Sequence, residues 1–208
     1  MAFTREQYGR KQTLDVRSAM AVALARRLRE AEFLAPVGGA FRFSEVFESW
    51  PDYGQRYVPP AACVLPSPVI YDAARLTPTL MEDTWEPQGG VGFGLYKTAD
   101  IAADFEVNIR TASAAERNIV MAAVENLWTV DGMLMDQEAG PRYGIVVAMP
   151  EYFGVCAGFA LKSARVIDNE DMAMREHREV VLVVNGQAPQ VKLGPVRPMN
   201  LTVRLSTC

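Results

Sequence analysis

The chain has 208 residues, half of them hydrophobic and 22% charged, with a formal net charge of −4 and a pI near 5.2. That composition suits one globular domain spanning residues 1–208, with a core large enough to need no metal or disulfide, and it excludes a disordered tail protein. No apolar run approaches the ~20 residues that cross a bilayer, and an acidic pI argues against a nucleic-acid module.

In chain order, Val16, Met20, Leu24, Leu28, Ala31 and Leu34 recur at three- and four-residue spacing behind Thr13, a candidate N-cap. This predicts a helix over 14–34 with one buried face. Arg17, Arg26 and Arg29 fall largely off that face, and Pro36 with Gly38-Gly39 ends the element. Residues 36–94 hold most of the thirteen prolines, and their aromatics include Trp50, Tyr57 and Trp85. Pro59-Pro60, Pro66-Ser67-Pro68 and Gly89-Gly90 cut them into pieces with no clear period, apart from a short edge strand at Ala61–Leu65. The expectation is a long, irregular, insertion-like excursion.

From residue 100 the pattern sharpens. Phe105, Val107 and Ile109 alternate with Asp104, Glu106, Asn108 and Arg110, as in a half-buried strand. Ser113 and Glu116 form a capping-box sequence before Ile119, Val120, Ala123, Val124 and Leu127, so a helix should begin there and close at Asp131-Gly132. A strand is expected at Tyr143–Met149. A second runs from Tyr152 to Ile167, where both faces are small or apolar and the strand should be covered on each side. Val180–Val184, Asn185-Gly186 and Val191–Leu193 read as a hairpin, and Met199 to Leu205 as a last strand. The fold class expected is α+β: a mostly antiparallel sheet packed against two helices, with long Pro- and aromatic-rich loops.

The motifs of chemistry are missing from this pattern. No phosphate-binding loop or hydrolase elbow occurs, and Gly89-Gly90-Val91-Gly92-Phe93-Gly94 neither follows a convincing strand nor opens a helix. His177 is the only histidine, so a His-pair metal site is excluded and one Cys–His couple with Cys156 remains. Cys63, Cys156 and Cys208 lack metal spacing and fit a reducing compartment. Cys63 and Cys156 lie in apolar runs, where thiols are usually buried, and Cys208 is open to intermolecular pairing. Asp168 to Asp171 reads as a charged turn, not a cation loop. No catalytic residue, metal ligand or cofactor is expected. The opening Met1-Ala2-Phe3-Thr4-Arg5-Glu6 lacks the order of an export signal.

Charge is unevenly spread. Residues 1–30 carry an excess of +4, residues 31–109 carry −7 and residues 110–208 carry −1. A basic first helix beside an acidic middle segment permits head-to-tail pairing between copies. Arg26, Arg29, Trp50, Tyr57 and Trp85 are the candidate interface residues, because Trp, Tyr and Arg dominate binding hot spots.

The order of elements over residues 95–184 carries a resemblance. It runs from Leu95-Tyr96-Lys97-Thr98 through Phe105 to Ile109, then the helix from Ala114 to Glu125. Arg142-Tyr143-Gly144-Ile145, Met149-Pro150-Glu151-Tyr152-Phe153 and the turn Asp168–Asp171 follow. This order resembles the neck proteins of tailed bacteriophages, in particular the tail terminator type, over about half of the chain. The resemblance implies a homomeric ring, most often a hexamer, that ends tail-tube growth and joins tail to head. Its partners would be its own copies, a neighbouring stopper and the tail tube. It would reside in the virion neck, after assembly in the host cytoplasm. A stopper, adaptor or collar protein fits the same order. A soluble binding module, or an enzyme built from unremarkable residues, remains as a different class.

Overall fold

Asp15, not Thr13, starts the first helix. Its carboxylate accepts the backbone N–H groups of Arg17 (3.0 Å) and Ser18 (3.1 Å), satisfying two of the donors that a helix start leaves open. Helix α1 runs Val16–Glu30 and buries Val16, Met20, Leu24 and Leu28, as the spacing predicts. It stops earlier than expected, because Phe33–Ala35 forms strand β1, paired antiparallel with β2 (Gly39–Phe41). The computed structural model describes residues 12–35, 39–48, 57–84, 92–135, 144–167 and 178–196. The strand expected at 199–205, the turn at 168–171, Trp50, Trp85, His177 and Cys208 lie outside these residues.

A six-stranded sheet dominates the molecule, in the order β3-β4-β5-β8-β7-β6. Its strands are β3 (Glu45–Phe47), β4 (Ala61–Thr84), β5 (Gly92–Thr111), β6 (Ile145–Ala148), β7 (Cys156–Ile167) and β8 (Arg178–Val196). All neighbours are antiparallel except β3 and β4, so the sheet is mixed. It is strongly curled into a half-barrel. Helix α1 lies in the trough, touching β3 and β6, the two outer strands, as well as β4, β7 and β8. A helix covered over so wide an arc needs small flanks, and Ala19, Ala21, Ala23 and Ala25 are all buried. Helix α2 (Ala114–Met135) packs on β1 and β5 to β8.

This corrects the expected fold class. The chain is α+β only broadly, being a curled, sheet-dominated half-barrel with two short helices. Residues 36–94 are not an irregular excursion, since β4 alone takes 24 of them. The reason is visible in the ladder between β4 and β5. Its register slips between Pro66 and Val69, Tyr71 and Ala73, Ala74 and Thr79, and Leu80 and Glu82. Each slip resets the two-residue period, and Pro68 and Pro78 sit inside slips, where a missing N–H is tolerated.

Two further expectations are corrected. Residues 180–193 make no hairpin: β8 runs straight through Asn185-Gly186 and pairs with β5 along its whole length. Residues Pro150 to Val155 are a turn, with Phe153 and Gly154 at φ of 54° and 72°, so β7 begins only at Cys156. Its two faces are not both covered: Ala157 and Phe159 are buried on one, whereas Cys156 on the other is exposed. Ser113 does cap the helix, its Oγ accepting the Glu116 N–H at 3.1 Å, while the Glu116 carboxylate reaches back to the N–H of Ala112, one residue before the cap. The helix it starts runs on past Asp131-Gly132 to Met135.

The concave side of the sheet is apolar and continuous with the helices, from Phe105, Val107 and Ile109 to Leu182, Val184 and Phe159. Polar pairs cross the strands elsewhere. Asp104 accepts from Lys162 and Asn185, each at 2.8 Å, linking β5, β7 and β8. Those bonds hold its carboxyl below the usual carboxylate range. No helix among the described residues is long and apolar enough to cross a membrane.

Candidate functional site

Strand β8 outlasts its neighbour. Gly158 of β7 pairs with Gln187, and among the described residues no strand pairs with that side of β8 beyond this point. The turn after Pro150 fills part of the gap. Tyr152 and Gly154 both donate their N–H to Met149 O at 3.0 Å, which folds the turn tightly and aims the Tyr152 phenol at β8. Its oxygen accepts the Val191 N–H (3.0 Å) and its hydroxyl donates to Val191 O (3.3 Å). One side chain therefore satisfies both backbone groups of Val191 at this edge. Burial pushes the phenol above its usual range, so it stays a protonated donor at neutral pH.

The same turn anchors the start of α1. Gln12 bridges to Tyr152, and the Thr13 N–H donates to Glu151 O at 2.9 Å. Between the helix start, the turn and residues 190–193 of β8 lies a cleft of about 680 Å³. Val16, Tyr152, Phe153, Val191 and Leu193 give it apolar walls, and Gln12, Arg17, Gln190 and Lys192 give it a polar rim. Asp15 also lines it, but burial, which pushes its carboxyl up, is outweighed by the bonds from Ser18 and Arg17 that hold it low. Asp15 and Tyr152 are thus both committed to structure. The arrangement suits binding of an apolar side chain, with positive charge at the rim.

Removing the Tyr152 hydroxyl tests this construction. Tyr152→Phe leaves two backbone groups of Val191 without their partner, at a cost of about 1–3 kcal/mol. The melting temperature should fall by several degrees with the same unfolded baseline. An unchanged melt would mean that water or another group serves Val191.

Of the interface residues expected from the sequence, Arg26, Arg29 and Tyr57 have internal partners, and Trp50 and Trp85 lie outside the described residues. Arg26 pairs with Glu151 in the β6–β7 turn, and Arg29 donates to Val46 O of β3 at 2.8 Å. The two arginines of α1 therefore tie the helix to both margins of the curled sheet. Tyr57 packs edge-on against Phe47, with centroids 6.2 Å apart, and its hydroxyl accepts from Arg110 Nη1 at 2.8 Å. Arg110 also pairs with Glu179 at 3.0 Å. Nearby, burial pushes the Cys63 thiol up to about 11, so it is protonated at neutral pH and is no nucleophile. Cys156 is exposed, and His177, its only candidate partner, lies outside the described residues. Among the described residues no group of three His, Cys, Asp or Glu side chains forms a metal site.

Sequence reasoning missed the cleft. One signal was present: Pro189 and Pro195 share the two-residue phase of Val191, whose N–H faces the open edge, and prolines belong on such edges. No family model and no curated protein matches the chain.

Proposed function

We propose that this chain is a non-enzymatic structural protein of a tailed-bacteriophage virion, acting as a homomeric ring at the neck. In this reading the ring, most simply a hexamer, ends tail-tube growth on one face and meets the stopper on the other. The observation that carries it is the length of the central ribbon. Strands β4, β5 and β8 hold 24, 20 and 19 residues. Each follows a path of roughly 60 Å or more, against roughly 22 Å for α1, the helix they cradle. Ordinary strands measure roughly 17–20 Å. A core of this size does not need such strands, whereas a part that must touch neighbours on several sides does. The segmental charge and the resemblance of residues 95–184 support the same reading.

Mass photometry and negative-stain electron microscopy of the purified chain test it. The expected result is one closed ring species at a small whole-number multiple of 23.0 kDa. Rings that bind and cap preformed tail tubes would mark the terminator, and rings that ignore them would mark a stopper, adaptor or collar. A chain that stays monomeric at every concentration overturns the ring.

A further inference from the structure

The two margins of the ribbon differ in kind at one level of the ladder. Leu80 of β4, Tyr96 of β5 and Lys192 of β8 stand in one row across three strands. At a strand spacing of about 4.8 Å, the margins are roughly 10 Å apart there. On the β4 side Leu80 and Met81 are 42% and 46% exposed, and Met81 has no β5 partner because the register slips at it. Two adjacent exposed apolar side chains at a bulge make a knob. Glu82 and Asp83 follow directly in the chain. On the β8 side lies the cleft, with Val191 and Leu193 inside it and Lys192 at its rim.

We propose that the Leu80–Met81 knob of one copy seats in the β8 cleft of the next, bringing the acidic Glu82-Asp83 step to the basic rim. This rests on the ring reading and supplies its seam. Knob and cleft occupy opposite margins of one ribbon, so every copy uses both, and repetition of such a head-to-tail contact makes a ring when its rotation returns to the start. The volume of the cleft lies in the range that admits a small ligand and has room for apolar side chains. The opposed charges favour this orientation over its reverse.

Strand addition, the obvious rival contact at a free edge, is blocked on both sides. The β4 edge is broken by four register slips. On the open side of β8, Pro189 and Pro195 have no N–H to offer, and the Val191 N–H already serves Tyr152. At these two margins the geometry thus favours contact through side chains.

The test uses the full chain and mass photometry. Met81→Asp should leave monomers at concentrations where the parent forms rings, a weakening of roughly tenfold or more. Glu82→Lys and Lys192→Glu should each weaken assembly, and mixing those two variants should restore it, because each knob then meets a cleft of opposite charge. Circular dichroism melts within a few degrees of the parent show that the variants fold. If the parent forms rings and Met81→Asp keeps their mass, or if the charge variants do not rescue each other, the seam lies elsewhere and the ring reading stands. A monomeric parent overturns both.

Discussion

Leu24→Asp is expected to leave the chain unfolded or aggregated at room temperature, while Arg26→Ala remains folded. Leu24 is completely buried at the centre of α1, in the trough of the half-barrel, where the sheet surrounds the helix over a wide arc. Deleting a buried leucine side chain costs about 2–5 kcal/mol. An unpaired carboxylate in its place adds several more, whether it stays charged or takes up a proton. The sum rivals the whole stability of about 5–15 kcal/mol that a domain possesses. Arg26 stands two residues away but points at Glu151, and both side chains keep over a quarter of their surface in water. Losing such a pair costs about 1 kcal/mol or less, worth a few degrees of melting temperature. Urea titrations followed by circular dichroism measure both variants. A Leu24→Asp chain that melts with the parent would mean that this face of α1 is not in the trough.

How legible the fold was depends on whether a period ran uninterrupted. Helix α1, as far as Leu28, and the stretch from Phe105 to Ile109 kept theirs, and both take the form the pattern predicts, although the helix ends at Glu30 and not at residue 34. Strand β4 did not, because Ser67, Asp72, Arg75 to Pro78 and Met81 fall in slips of the ladder and each slip shifts the phase. Composition then reads as a loop what is a 24-residue strand. The cleft was beyond local reasoning for a different cause. It exists because β8 continues past the end of β7 and because a turn some forty residues earlier supplies Tyr152. Neither fact is written in any one segment. The arginines show the converse: a charge on a helix face looks free in the sequence, yet Arg26 and Arg29 are the clamps that hold α1 to both margins.

Asn185-Gly186 shows most sharply how local chemistry can mislead, and it supplies the second large effect. The pair has the composition of a tight hairpin turn, yet it sits in the middle of β8 between β5 and β7. The glycine is there to let rings through. The Phe105 and Phe159 rings meet edge-to-face over it, with centroids 6.0 Å apart and planes at 70°. A Cβ on Gly186 would stand 2.7 Å from Phe105 Cε2 and 2.9 Å from Phe159 Cε1. Comfortable carbon contacts are about 3.5–4.0 Å, and both phenylalanines are fully buried, with no room to retreat. Gly186→Val therefore sets two terms against each other. Valine suits a strand better than glycine by up to about 1 kcal/mol, while overpacking a tight core costs about 1–3 kcal/mol or more. With two rings in the way the clash wins, and the melting temperature should drop by roughly 5 °C or more. Gly194→Ala in the same strand is the control. Its added Cβ also meets a ring, Tyr96 at 3.0 Å, but this is one half-buried ring in place of two fully buried ones, so the melt should fall less than for Gly186→Val. If Gly186→Val melts at or above the parent, the aromatic crossing is wrong and Asn185-Gly186 is a turn after all.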